Sequence, residues 1–326
     1  MGQQSSTSLS RSLLDPGAEA TERHAHSKVK VENEQLKARC SRSASMKYRT
    51  LDPGHRMELL VAELMSCLPS INPVESNEEA RAHLSEQGIA FGDDDDLMVF
   101  VVHSPGGDKP IFAINKSDHE FWQIEVRKVL AAATERAIRS DEIVIQQSDI
   151  QSYLTLPVRM GSATHPWTMA FIAAVNEVAT RVAIRLKCAV DFPRPIDLSA
   201  DVVPIIQTPA HSAVPNAHAM EAHSIATVIG GLYEPIDTRS GEIAEQVADR
   251  IQLNRVIGGV HFEIDGLIGK SLGQLIGISC LSSLLKKTHS FNLDFLMAGQ
   301  RVSNDENSDD GNQSCLLYTS PSPRDS

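Results

Sequence analysis

Between His165 and Leu186 apolar residues recur every three or four positions, at Trp167, Phe171, Ile172, Val175, Val178, Val182 and Leu186. That period puts them on one stripe of an α-helix, and Asn176, Arg181 and Arg185 interrupt it, so the segment reads as a core helix rather than a membrane span. The same period returns at Trp122, Val126, Val129, Ala133 and Ala137 behind a capping box at Ser117-Asp118-His119-Glu120, which predicts a helix of about five turns. Further helices are expected from about 217 to 233, from about 241 to 257 with Ile243, Val247, Ile251 and Val256 on one face, and after His261. In the last of these, Gly269, Gly273 and Gly277 fall at intervals of four, a spacing that predicts a close helix crossing. The fold class that follows is all-α, a helical bundle with its site among the core helices.

Other segments depart from this pattern. Leu97–Val102 and Ile111–Ile114 flank Ser104-Pro105-Gly106-Gly107-Asp108, which predicts a small β-hairpin excursion near 97–114. The acidic run Asp93 to Asp96 lacks the alternating ligands of a calcium loop and reads as a solvated turn. From Arg56 to Cys67, Met57, Leu60, Val61, Leu64 and Met65 mark an amphipathic helix ended by Pro69. Residues 1–45 hold few large apolar side chains and are expected to be disordered. Residues 46–300 then form a single catalytic helical domain, and 301–326 a second disordered tail whose end, 315–326, reads as translated cloning adaptor. With 41% hydrophobic residues in 326, one sizeable core is within reach.

The net charge of −12 argues against general nucleic-acid binding, which needs a basic face. Five cysteines show no CxxC pair and no metal spacing, which fits a reducing compartment. The N-terminus lacks a signal-peptide core, and no apolar run reaches the ~18 residues of a spanning helix. A soluble, cytoplasmic protein without a transmembrane segment is the expectation. Met1-Gly2-Gln3-Gln4-Ser5-Ser6 matches the N-myristoylation pattern at Gly2, although one acyl chain anchors only marginally. Exposed apolar helices such as that of 56–67 leave a homo-oligomer open.

Chemistry concentrates between Lys187 and Asp265, in three blocks. Lys187 closes the first core helix, and Arg194-Pro195 follows six residues later. Pro215-Asn216-Ala217-His218 leads straight into a helix, offering free backbone amides and a positive dipole end to an anion. Asn254-Arg255 precedes His261 and Asp265, a carboxylate placed to orient an imidazole. A shared zinc ion between His218 and His223 is disfavoured, since five helical positions turn them about 140° apart.

In order and spacing these blocks resemble the signature of the type 2 phosphatidic acid phosphatase and vanadium-dependent haloperoxidase superfamily: lysine, six residues, Arg-Pro; then Pro-Ser-Gly-His; then Ser-Arg, five residues, His, three residues, Asp. The context of Thr208-Pro209-Ala210-His211 and Gly259-Val260-His261-Phe262-Glu263-Ile264-Asp265-Gly266 is most similar to the haloperoxidase branch. The resemblance implies a cage in which Lys187, Arg194, Asn216, Ala217 and Arg255 bind vanadate or phosphate. It makes His261 the axial ligand of vanadate or the nucleophile toward phosphorus, Asp265 its orienter and His218 the acid and base. It implies a vanadate-dependent haloperoxidase acting on halide, hydrogen peroxide and a small organic substrate. The alternatives are a soluble acid phosphatase that cleaves a phosphomonoester through a phosphohistidine, with no cofactor, or an inactive relative. Two positions depart from the pattern: Asn216-Ala217 stands for Ser-Gly and Asn254 for Ser. Asn216 still offers a side-chain donor and Ala217 a backbone amide.

Overall fold

The structure, a computed structural model, describes residues 51–74, 78, 81–82, 85, 96–104, 107–233, 237–285 and 296–298. The expectations for Gly2, for the tails 1–45 and 301–326 and for the turn at Asp93 lie outside the described residues. The chain divides into two units, one up to Ser66 and one from Cys67 onward. The described part of the first is helix α1 (Pro53–Cys67), whose buried residues Val61 and Leu64 are spaced as the apolar pattern predicts. It ends two residues before Pro69.

The second unit carries helices α2 (His119–Ala132), α3 (Arg136–Ile145), α4 (Ile150–Thr155), α5 (Pro166–Ala189), α6 (Pro195–Leu198), α7 (Ala217–Tyr233), α8 (Thr238–Ile257) and α9 (Glu263–Leu285). Helix α7 packs against α9, α8 and α5, and its residues from Ala219 to Ile229 are buried with the exception of Glu221 and Thr227. A helix apolar on most sides must sit inside its bundle.

Its contact with α9 is set by the three glycines. A Cβ at Gly269 would stand 2.5 Å from the Asn216 carbonyl oxygen, one at Gly273 2.5 Å from that of Met220, and one at Gly277 2.7 Å from that of Ser224. Backbone meets backbone there, as the four-residue spacing predicts. Among the described residues α9 is one helix long and apolar enough to cross a membrane, where the sequence led us to expect none, and half of that window is buried inside the bundle.

Helix α2 begins one residue later than the capping box predicts. Asp118, not Ser117, caps it, accepting from the Phe121 amide at 2.9 Å, while the Ser117 hydroxyl donates to Asn115 Oδ1. The predicted five turns break at a 3₁₀ turn, Ala133–Glu135, before α3 resumes.

The predicted hairpin is present as β2 (Leu97–Ser104) and β3 (Gly107–Asn115), with Phe100 stacked on Phe112. The sheet extends further than expected, in the order β1-β2-β3-β4. β1 (Ser70–Val74) lies antiparallel to β2, and β4 (Leu296–Ala298) lies parallel to β3. Strand β1 carries Pro73, which costs no ladder bond on the outer side of an edge strand and which hides the strand from a sequence reading.

Candidate oxyanion site

Helix α5 ends at Ala189, so its last turn carries Lys187 into the interior, where the side chain is 4% exposed. The ammonium donates to the carbonyls of Ser212 at 2.7 Å and Ala213 at 3.0 Å. Arg194, the N-cap of α6, is likewise buried. Its Nη1 donates to Val260 O at 2.7 Å and lies 3.1 Å from His261 Nε2, and its Nη2 reaches His211 O and Ser212 O. One loop, 211–213, thus receives both cations of the first block. Trp122 of α2 packs between the two arms, 6.2 Å from Phe192 and 5.3 Å from Phe262 by ring centre, and so fixes the loops that carry Arg194 and His261.

The third block turns sharply between Arg255 and His261. Gly259 has φ +82°, a conformation that favours glycine, and a Cβ there would meet Arg136 Nη2 at 2.7 Å. Arg136 holds this turn by donating to Ile257 O and Val203 O. Beyond the turn, His261 Nδ1 lies 3.0 Å from Asp265 Oδ2, which also accepts from the Phe262 amide at 2.9 Å. Asp265 sits one helical turn after His261, in the first turn of α9, and is fully buried. The Asp265 carboxylate accepts the Nδ1 proton, and this leaves the Nε2 lone pair facing Arg194.

Asn216 is fully buried, and its side-chain Oδ1 accepts from the Ala219 amide at 3.2 Å, capping α7. Its amide donates to Asp265 O at 3.0 Å, which ties the second block to the third. Ala217 is the first residue of α7 and His218 the second; both are half-buried. Arg255, 1% exposed, donates through Nη2 to Ile143 O at 2.9 Å and Gln146 Oε1 at 3.2 Å. Arg255 Nε and Nη1, Asn216 Nδ2 and Asp265 Oδ1 are buried side-chain atoms without a hydrogen-bond partner.

Electrostatics joins these groups into one field. His261 is held well below its ordinary range by burial and then by the nearby basic groups, Lys187 and Arg194 first. Burial and the charge of Arg255 push His218 down to about 3, with Lys187 adding to the effect. Lys187 falls to about 7, chiefly through burial and the neighbouring Arg194, and Arg255 falls to about 10 through burial. Asp265 rises to about 7 because burial disfavours its charge, against the pull of the Phe262 amide and of Lys187 and Arg194. Three buried basic groups face the Asp265 carboxyl group, and the other buried carboxylate near it, Glu125, is paired with Lys128. Such an imbalance in a low-dielectric site favours an anion.

All eight residues singled out in the sequence therefore fall in or beside one region. Sequence reasoning missed three others. Glu125 of α2, 1% exposed, accepts from the Ile264 amide at 3.0 Å and from Lys128 at 2.8 Å, and so caps the helix that carries Asp265. The signal was a carboxylate on the buried stripe between Trp122 and Val129. Gln146 accepts from both Arg255 and Asn254, and the Asn254 Oδ1 accepts from Arg139. His211, given no role of its own in the sequence reading, lies 3.1 Å from Arg194 Nη2 through its Nδ1.

A second cluster, His223 with Glu245 and Asp249, has ligand atoms close enough for a metal ion. Its centre is taken by the Lys270 ammonium, 2.9 Å from Glu245 and 2.6 Å from Asp249. His223 is bonded to Glu245 and Gln252, so it is a satisfied core histidine that shares no ligand site with His218.

No family model and no curated protein matches the chain. Solved structures similar to it include the following two. One is described as the crystal structure of the first bacterial vanadium-dependent iodoperoxidase, at 14% identity and a TM-score of 0.38, covering 49% of each chain, so that this chain spans about half that protein's length. The other is the crystal structure of a transmembrane PAP2-type phosphatidylglycerolphosphate phosphatase from Bacillus subtilis, at 17% identity and a TM-score of 0.32, covering 72% of this chain and 96% of that one.

Proposed function

We propose that this chain is an enzyme that holds a tetrahedral oxyanion against His261, in the manner of the haloperoxidase and acid phosphatase superfamily its motif blocks resemble. Arg255 carries the reading. Its guanidinium is buried with two donor nitrogens unpartnered, and Asn216 Nδ2 is a further buried donor without a partner. A buried polar group without a partner costs about 1 to 3 kcal/mol, and an oxyanion supplies acceptors that remove this cost from several donors at once.

The residues present fit vanadate. His261 Nε2 would ligate it, and Lys187, Arg194, Arg255, Asn216 and the Ala217 amide would hold its oxygens. Bound there, vanadate would supply the oxidation of halide by hydrogen peroxide, and a small organic molecule would take the halogen. The motif context of His211 and His261 favours this haloperoxidase chemistry.

A different observation favours a phosphomonoesterase. A cavity of about 290 Å³ adjoins His218 and is lined by polar and acidic side chains such as Gln147, Asp149 and Glu221, which suits a polar alcohol better than a halide ion. In this chemistry His261 Nε2 attacks phosphorus while the bond to the ester oxygen breaks, and His218 gives that oxygen its proton. Water then attacks the phosphohistidine, His218 takes its proton, and His261 is freed. The Nη1 of Arg194, which contacts Nε2, moves to the anion as it enters. His218 is neutral in the free protein, and a bound dianion offsets the charges of Arg255 and Lys187 and raises its affinity for a proton.

Protein reconstituted with orthovanadate is expected to brominate a phenolic dye when bromide and peroxide are added. Hydrolysis of an aryl phosphate that vanadate inhibits, with no bromination, selects the phosphomonoesterase. Vanadate binding with neither activity identifies an inactive relative, and failure to bind either anion refutes the oxyanion reading.

A further inference from the structure

The cavity beside His218 has a chemical polarity opposite to that of the oxyanion cage. Its floor comes from α5 and α7, where Asn176 and Glu221 face it, and its rim from Gln146, Gln147 and Asp149 between α3 and α4. Asn176 Oδ1 is buried and has no hydrogen-bond partner, and Glu221 Oε1 takes only the Thr180 hydroxyl among the bonds seen, at 2.7 Å. Neither lysine nor arginine lines the cavity. The space beside His218 is thus lined by polar and acidic side chains with no cation among them, in contrast to Lys187, Arg194 and Arg255 of the oxyanion cage.

We infer that this cavity is a subsite for the ester's alcohol and that it selects an alcohol bearing an ammonium group, so that the substrate is a phosphomonoester of a short amino alcohol. The inference rests on the oxyanion reading above, in its phosphomonoester form. His218 and Glu221 stand three residues apart on α7 and so share one face about 5 to 6 Å apart at Cβ. The oxygen that His218 protonates and the nitrogen that Glu221 receives are then separated by roughly two or three carbons. The ammonium donates to Glu221, whose ionised form a cation beside it favours against the burial that otherwise keeps it protonated, and to Asn176 Oδ1, which supplies the latter's missing partner. A phosphate with a neutral alkyl tail would leave both acceptors facing a methyl group, which is a discrimination stronger than added area supplies.

The test compares 3-aminopropyl phosphate with its isostere butyl phosphate, and both with inorganic phosphate, by calorimetric titration of the full chain. The ammonium ester is expected to bind at least about tenfold more tightly than butyl phosphate, as a charge-assisted bond requires. Glu221→Gln is expected to bring that ratio close to one, with the fold checked by circular dichroism. Equal binding of the two esters to the native chain overturns the inference, as does a preference that survives Glu221→Gln. If inorganic phosphate binds and no preference is seen, the cavity inference alone fails. If no phosphate species binds, the oxyanion reading fails and takes the inference with it.

Discussion

Replacement of Arg255 separates an anion-binding guanidinium from a structural one. In Arg255→Met the buried charge disappears together with its two unpartnered donors, Nε and Nη1. Each charge-assisted bond to an oxyanion contributes about 1.5 to 3 kcal/mol, so the pair contributes about 3 to 6 kcal/mol and phosphate affinity falls by about 10² to 10⁴. The assay is thermal unfolding with and without phosphate. At a concentration of about one hundred times the native Kd, binding stabilises the native chain by about 2.7 kcal/mol, and a variant with a hundredfold weaker Kd gains only about 0.4 kcal/mol. For a domain of this size those gains raise Tm by about 5 to 10 °C and about 1 °C. Without phosphate the two proteins melt close together. The variant loses the Nη2 bonds to Ile143 O and Gln146 Oε1, and it is relieved of a buried cation that no carboxylate contacts. A phosphate-induced shift as large in the variant as in the native chain would refute the reasoning, because Arg255's free donors would then face no anion.

Three further outcomes are expected. His261→Ala should abolish tight vanadate binding in equilibrium dialysis, whereas His218→Ala should retain binding and lose turnover; equal losses of affinity would contradict the division of roles. Gly269→Ala should destabilise the fold by about 1 to 3 kcal/mol in urea unfolding and depress turnover too, since the new methyl group meets the Asn216 carbonyl at 2.5 Å; unchanged stability would mean that α7 and α9 separate freely. Glu221 is raised from 4.5 to about 7 mainly by burial, so the folded chain keeps a proton that the unfolded chain releases. Its stability should therefore fall as pH rises from about 4.5 to about 7 and stay low above, by up to about 3 kcal/mol, and Glu221→Gln should flatten that part of the profile.

The helices were legible because burial of a helix needs only a period, and α5, α7 and α9 each write theirs in apolar residues or glycines. The strand β1 was not, since five residues with a proline in fourth place carry no alternation strong enough to read. At the site, the ionic residues were legible as a spaced pattern, and the structure brings Lys187, Arg194, Arg255, His261 and Asp265 into one electrostatic field. Gln146 was not legible, for its contribution is a contact with Arg255 more than one hundred residues away in the chain, and nothing in a polar residue at a helix end announces such a partner. Glu125 was half legible. A carboxylate on the buried stripe of α2 breaks the apolar period, and the cost of burying it is offset by the Ile264 amide and Lys128.

Asn216 shows how a departure from a motif can preserve its physics. In the sequence it is a substitution for serine that still offers a donor. In the fold its two polar atoms divide the work: Oδ1 caps α7 through the Ala219 amide, and Nδ2 is left buried and unpartnered. A serine hydroxyl has a single oxygen for both tasks, donating and accepting at once. On the main-chain side, Gly269 of α9 lets the Asn216 backbone lie against the helix. The glycine spacing that fixes the bundle therefore also fixes the backbone at position 216. The same close crossing that packs α7 on α9 also sets Asn216 N against Asp265 O, so the loop bearing His218 and the helix bearing Asp265 are held in register by main-chain atoms. A side-chain exchange at 216 and 217 should then alter hydrogen bonding to the anion far more than it alters where His218 and His261 stand.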